Sequence, residues 1–374
     1  MLRPQAPAHR LRSPLAGQAA NQAAPVLVSG CLQEDAVSMQ IDLILDSRLG
    51  PDELVLLGTM AEEYELGNVW VASYLDSRDP FANLALLARA TRRIGIGPVA
   101  VNPFDMHPLR IAAGLLTLNE LGAGRARIVV GGGGEALQAL GVVPAPRVAA
   151  VRECVEILKA VRPDRVLDYD GKVYTVHGYR PAWATAPPPP VYVAANKPQM
   201  LSMAARIADG VMMSDLPPGL VHTTIARVNE QRVQAGRGHL PFMFSNFMAW
   251  HVYEDRQRAV REARQWLGYR GLFRRWVITT FLSDEDYDII EAHRSQIYAA
   301  ATMSSPEIPG VPERILDALV ENLTLTGDLS EVPRHIAHLR ELKAAGLTHV
   351  ALELRQEPAQ AIRVIGEQVA PALR

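Results

Sequence analysis

Residues 94–134 read IGIGPVAVNPFDMHPLRIAAGLLTLNELGAGRARIVVGGGG, and the rhythm of this stretch decides the fold. Ile94–Val101 is a short apolar run that predicts a buried strand. Ile111, Leu115 and Leu118 then recur at helical spacing. Arg127–Val130 predicts a second short strand, which ends in four glycines. Alternating strand and helix units with short apolar strands imply a parallel sheet covered on both faces.

The rhythm continues in both directions. Upstream, Met39–Leu45 and Val69–Ala72 predict strands, and Leu54, Leu57, Ala61 and Tyr64 share one face of a helix between them. Pro80 opens the following helix at the favoured first-turn position. Downstream, Val148, Val151, Val155 and Leu158 mark an amphipathic helix. Asp164–Pro190 reads as irregular and ends in a four-proline extended spacer. Strands are expected at Val191–Ala195, at Gly210–Met213 and within Pro241–Tyr253, with a helix from about Pro198. Asp255–Ser305 is charged and helical and reads as an insertion. A helix around Val332–Ala345, the strand Thr348–Leu354 and a helix through Ile362, Ile365 and Val369 follow. Eight strand–helix units predict an α/β fold: a single (β/α)8 TIM barrel over residues 39–374, with a helical insertion at about 255–305.

Composition excludes several classes. The chain has 374 residues, of which 48% are hydrophobic and 21% charged, which argues against wholesale disorder. Lysine and arginine number 38 against 40 acids, for a net charge of -2, so neither nucleic acid nor an anionic membrane is an expected partner. Cys31 and Cys154 stand too far apart for ligand spacing, and His107, His177, His222, His239 and His251 show no two-histidine metal pattern; no metal is expected. No apolar run reaches the roughly 18 residues of a transmembrane helix. Residues 1–38, rich in Ala, Pro and Gln, are expected to form a disordered N-terminal extension or to precede a natural start at Met39. A soluble, cytoplasmic protein is the expectation.

In a barrel, chemistry belongs to the loops at the C-terminal strand ends. Those ends are Ser73-Tyr74, Val99–Asn102, Gly131–Glu135 and Ala194–Lys197. Gly131–Ala136 fits the G-x-G-x-x-A dinucleotide pattern, with Glu153 near the distance of a ribose-binding acid, although Glu153 falls within a helical repeat. A tight turn needing positive φ is a second reading. The third is close backbone approach to a planar cofactor, with Glu135 beside it as proton donor or acceptor. Prolines around Val99–Asn102 either end a strand or frame a bulge pressing on a ligand. Ala194-Ala195-Asn196-Lys197 meets a helix start, where free amides and an ammonium suit a phosphate, unless it is an ordinary junction.

These same residues resemble the bacterial-luciferase-like superfamily of flavin- and coenzyme F420-dependent oxidoreductases, with the nearest likeness to methylenetetrahydromethanopterin reductases. The matching stretches are GPVAVNPFDMHP (97–108), NELGAGRARIVVGGGGEALQALG (119–141), PPVYVAANKPQML (189–201), ARIADGVMMS (205–214) and TGDLSEVPRHIAHLRELKAAGLTHVAL (326–352). The resemblance implies a deazaflavin ring lying against a bulge with a non-prolyl cis peptide at Val99-Ala100, close to Asn102 and Gly133. It implies that Ala194, Ala195, Asn196 and Lys197 surround the cofactor phosphate, and that Glu135 is the active-site carboxylate. Ser73-Tyr74 stands where the family commonly has Asp-His; serine can still hydrogen-bond the ring, and Tyr74 can orient the substrate. The expected activity is hydride transfer between coenzyme F420 and a small organic substrate. FMN-dependent monooxygenation in the same barrel, a non-catalytic cofactor-binding barrel and a Rossmann dehydrogenase are the alternatives. Luciferase-like barrels often pair, so a homodimer is compatible with the resemblance.

Overall fold

The computed structural model describes residues 38–374 apart from 135–136, 138–139, 144–145, 186 and 304. The expected N-terminal extension therefore lies almost wholly outside the described residues. Eleven strands are described. They are β1 (Gln40–Leu45), β2 (Asn68–Ala72), β3 (Gly95–Val99), β4 (Ile128–Val130), β5 (Leu167–Asp170), β6 (Thr175–Tyr179), β7 (Val191–Ala194), β8 (Gly210–Ser214), β9 (Met243–Tyr253), β10 (Thr324–Asp328) and β11 (His349–Leu354).

Eight of them run parallel in the order β3-β2-β1-β11-β9-β8-β7-β4. Single bridges, Ile96 to Ala126 and Val101 to Val130, join β3 to β4 and close the barrel. Pro98 has no N–H to donate across this seam, and Gly97 lets the Arg127 carbonyl approach, since a Cβ there would sit 2.1 Å from its oxygen. Helices Pro51–Glu63, Pro80–Ala90, Pro108–Leu121, Arg147–Ala160, Pro198–Ile207, Pro218–Gln234 and Val332–Ala344 cover the outside.

Strand side chains alternate between the two faces of the wall. Ile44, Trp70, Val129, Tyr192, Met212 and Ala351 fill the interior, while Leu43, Val69, Val71, Ile128, Val130, Val193 and Val211 pack outward with the helices. Polar plugging closes the N-terminal end: the buried Asp42 carboxylate accepts from Asn68 Nδ2 at 2.8 Å and from Trp70 Nε1 at 3.0 Å. On the first helix, Leu54, Leu57 and Ala61 are buried as their spacing predicts; Tyr64 lies just past its end and donates to Glu367.

Two segments depart from the sequence reading. Asp164–Pro190 is not wholly irregular, because β5 and β6 pair as an antiparallel hairpin. Glu153 holds it: its carboxylate accepts from the backbone N–H groups of Lys172, Val173 and Tyr174 at 2.9, 2.8 and 2.9 Å. Those three bonds outweigh burial and keep the Glu153 carboxyl below its ordinary range. The acid weighed as a ribose ligand thus clamps a hairpin from within a helix. The second departure is β10, which pairs with the far half of β9 outside the barrel path. Between β9 and β10 lie the helices Arg256–Gln265, Asp284–Ala292, Arg294–Thr302 and Glu313–Leu323.

Candidate active site

The mouth at the C-terminal strand ends has two unlike halves. Over β2, β3, β4 and β7 the inward positions carry small groups. Ala72 and Val99 belong to the interior cluster, and Ala100 and Ala194 pack against it. A Cβ built on Gly131 would come within 3.0 Å of Ala100 Cβ and 3.7 Å of Ala194 Cβ, so glycine there leaves a floor with no bulky or charged side chain. The Val99-Ala100 peptide is cis, at the position the resemblance implied. It is gripped from both sides. Ser73 N donates to the Val99 carbonyl at 2.8 Å, Val101 N to Val129 O at 3.1 Å, and Gly131 N to Val101 O at 2.8 Å. Gly133 takes φ +64°, a conformation that favours glycine. Glu135 lies outside the described residues.

Asn102 turns its side chain to its own loop: Nδ2 donates to Asp105 at 2.6 Å, and Oδ1 accepts from Phe104 N and Asp105 N. The hairpin braces this loop, since Tyr174 OH donates to the Pro103 carbonyl at 2.6 Å and its ring meets His107 edge-on. His107 is structural here, capping the helix Pro108–Leu121 through Leu109 N.

At the end of β7, Ala195 N donates to Met212 O. Asn196 ties β7 to β8, accepting from Ser214 N and donating to Ser214 Oγ, both at 3.1 Å. Lys197 is exposed at the N-cap of Pro198–Ile207 and caps no amide with its side chain. Two arginines that sequence reasoning missed approach the same corner. Arg274 donates to Ser214 O at 2.8 Å and to Ser214 Oγ at 2.9 Å, and the stem of Arg147 runs over Gly132 towards Met200. Helix amides and cations together make an anion-favouring corner.

The other half of the mouth is charged and buried. Glu353, at the inward position of β11 two residues after Ala351, accepts from Arg270 Nη2 at 2.9 Å and from Arg355 Nη2 at 2.7 Å. Tyr74 OH donates to Glu353 Oε1 at 3.3 Å. Arg270 lies over the Phe247 ring at 4.7 Å and 3.5 Å from Asp215. Glu353, Arg270 and Asp215 are 4%, 6% and 3% exposed, so their charges survive by pairing alone. Burial would raise the Glu353 carboxyl, but Arg355 and Arg270 hold it below the ordinary glutamate range. Tyr74 is pushed the other way, upward, first by burial and then by the Glu353 charge. It is therefore a neutral hydroxyl at physiological pH. Asp215 sits at φ +54°, in the left-handed region that aspartate visits seldom. Of this half, sequence reasoning singled out Tyr74. The signal for Glu353 was an acid on the inward phase of an apolar strand; Arg270 and Arg274 come from irregular parts of the helical segment, where no periodicity could point to them.

Of the expected cofactor residues, the structure brings Ser73, Val99, Ala100 and Ala194 around one floor, while Gly133 lies against Leu137. Ala195, Asn196 and Lys197 form the corner beside it. Among the described residues no group of His, Cys, Asp and Glu is arranged to hold a metal ion, and no helix is long and apolar enough to cross a membrane.

The fold recurs in known proteins. The chain is 25% identical over 327 residues to the 5,10-methylenetetrahydromethanopterin reductase of Archaeoglobus fulgidus, covering 86% of this chain and 96% of that one. Its fold matches the coenzyme F420-dependent tetrahydromethanopterin reductase of Methanopyrus kandleri with a TM-score of 0.73 at 22% identity, over 90% and 100% of the two chains. It also matches an F420-dependent secondary alcohol dehydrogenase solved with an F420-acetone adduct, with a TM-score of 0.71 at 20% identity, over 90% and 99%. The family model for luciferase-like monooxygenases matches residues 26–349. The match of this family's model along most of its length, on a parallel eight-stranded barrel, makes the chain a member of the luciferase-like monooxygenase family and an oxidoreductase of that fold.

Proposed function

We propose that the protein is a coenzyme F420-dependent oxidoreductase that transfers hydride between the deazaflavin and a small organic substrate. The observation that carries this reading is the division of the mouth into a small-residue floor and a charged wall. A planar tricyclic ring needs a flat, uncharged support on one face, and Ala72, the Val99-Ala100 peptide, Gly131 and Ala194 supply it. An anionic tail needs cations and free amides at one edge, and Lys197, Arg274 and the start of Pro198–Ile207 supply those. The residues present fit the group. When bound, coenzyme F420 supplies a carbon centre that accepts or releases hydride and reacts little with oxygen.

The remaining work belongs to the chain. Val99, Ala100, Gly131 and Ala194 would support the ring, and the hairpin bond from Tyr174 to Pro103 keeps the loop after β3 in place. Ser73, whose backbone N–H is tied to the Val99 carbonyl, would offer its Oγ to the ring. Tyr74 and Phe247 would orient the substrate on the opposite side, where the buried Arg270, Asp215 and Glu353 exclude water. Glu135, five residues after Val130 in the sequence, would exchange a proton with the substrate. Methylenetetrahydromethanopterin-like substrates are consistent with the relatives named above.

Glu135→Gln tests the proton role. Turnover should fall by about two orders of magnitude or more, while the dissociation constant of coenzyme F420 changes by less than threefold. Unchanged turnover would remove Glu135 from the reaction.

A further inference from the structure

We infer that the N-terminal end of the barrel carries a second binding site, for a small organic carboxylate with an apolar body. This site stands apart from the proposed cofactor and needs none of its chemistry. The strand phases create it. Along the inward-facing positions, the apolar interior turns polar or small one step nearer the N-terminal ends: Trp70 is preceded by Asn68, Val129 by Arg127, Met212 by Gly210 and Ala351 by His349. These residues line a cavity of about 680 Å³, within the roughly 300–1,000 Å³ of small-ligand sites. Its rim residues Gln40, Leu240 and Pro241 are exposed. The fully buried Trp70 and Val129 and the buried Tyr192 separate it from the mouth at the other end.

Charge decides the class of ligand. The lining holds two guanidiniums, Arg127 and Arg237, against one carboxylate, Asp209. Asp209 is already matched: it pairs with Lys159, accepts from Val191 N at 3.0 Å, and lies 3.8 Å from Arg237. Arg127 is held in place without being neutralised. Its Nε donates to Asn68 Oδ1 at 2.6 Å, it also bonds the Tyr192 hydroxyl, and it forms no ion pair among the described residues. Asp42, behind the cavity wall, is engaged by Asn68 Nδ2 and Trp70 Nε1. A half-buried guanidinium keeps its charge and presents a planar fork that fits a carboxylate. A phosphate monoester would bring a second negative charge towards Asp42 and Asp209, and like charges repel. The apolar body of the ligand is met by Pro190, Leu240, Pro241 and Phe242. That surface is built in advance, because Arg232 donates to the Leu240 carbonyl and lies 4.5 Å from the centroid of the Phe242 ring.

Met243 lines the cavity and reports on it. In the full-length chain carrying 13C-methyl methionine, the Met243 resonance is assigned by its loss in Met243→Leu. The protein is then titrated, without cofactor, with 2-naphthoate, 2-naphthyl phosphate and the neutral 2-naphthamide. The naphthalene ring current should shift the Met243 methyl saturably, with a Kd for 2-naphthoate of about 1 mM or tighter. The amide should bind at least about tenfold more weakly, and Arg127→Gln should weaken 2-naphthoate by about tenfold or more at the same resonance. A Met243 methyl that stays in place at about 10 mM 2-naphthoate would overturn the site, and equal affinity for carboxylate and amide would overturn the role of Arg127. Tighter binding of the phosphate would overturn the carboxylate class. Should Arg127→Gln not fold, the carboxylate and amide compared on the wild-type chain decide the matter. Saturating coenzyme F420 should leave the 2-naphthoate titration unchanged; competition between the two would put the naphthoate in the mouth and refute a separate site.

Discussion

Gly131→Ala should separate cofactor binding from folding. The added Cβ would stand 3.0 Å from Ala100 Cβ and 3.7 Å from Ala194 Cβ, so the floor must give by a few tenths of an ångström. Gly131 does not adopt positive φ, and alanine therefore meets no backbone penalty there. Overpacking of this kind costs about 1–3 kcal/mol of stability, which a barrel of this size survives. A ring lying on the floor is affected separately. A methyl group rising beneath it removes roughly ten carbon–carbon contacts at about 0.1–0.2 kcal/mol each, or about 1–2 kcal/mol. That corresponds to a five- to thirtyfold rise in Kd, with about 1.4 kcal/mol per tenfold. The assay is fluorescence titration with oxidised coenzyme F420, alongside urea unfolding of the same samples. A Kd within twofold of wild type in a folded variant would show that the ring does not lie on Ala100, Gly131 and Ala194.

Two further outcomes follow from buried groups. His335 packs beside Trp250 at 3% exposure, and burial lowers its pKa to about 4. The unfolded chain binds the proton near pH 6.5 and the folded chain resists it, so stability is full above pH 6.5 and falls as pH drops towards 4. Between pH 7.5 and 5 this group alone costs about 2 kcal/mol. His335→Gln should remove that much of the pH dependence in urea unfolding, and an identical pH dependence in the variant would contradict the assignment. Tyr174→Phe deletes the bond to the Pro103 carbonyl; it should cost about 1 kcal/mol and speed hydrogen exchange across residues 101–107, whereas unchanged exchange would mean that the hairpin does not brace this loop.

The barrel was legible because its cause is periodic. Each strand is short and apolar, each helix carries a stripe such as Leu54, Leu57 and Ala61, and the units repeat. The β5–β6 hairpin was less so. Its strands lie on the surface with mixed burial, and what fixes them is one carboxylate, Glu153, in the preceding helix, 20 residues before the Val173 amide it accepts from. β10 escaped for a similar reason: Thr324–Asp328 is short and polar, and it exists because the long β9 leaves an edge to pair with. At the site, the strand-end glycines and prolines marked the floor, since backbone geometry writes itself in residue type. The charged wall left no such mark, because ion pairing between Arg270, Asp215 and Glu353 joins positions 83 and 55 residues apart, which no local pattern records. Asn102 and Asn196 carry amides of the expected type, yet those amides are engaged within the protein by Asp105 and Ser214.

Dependence on the deazaflavin is decided by parallel titration of the purified full-length chain with oxidised coenzyme F420 and with FMN, read by fluorescence. The proposed coenzyme F420 dependence predicts micromolar binding of coenzyme F420 and binding of FMN at least about tenfold weaker, a difference of about 1.4 kcal/mol. Preference for FMN, or binding of neither, would contradict the proposed function.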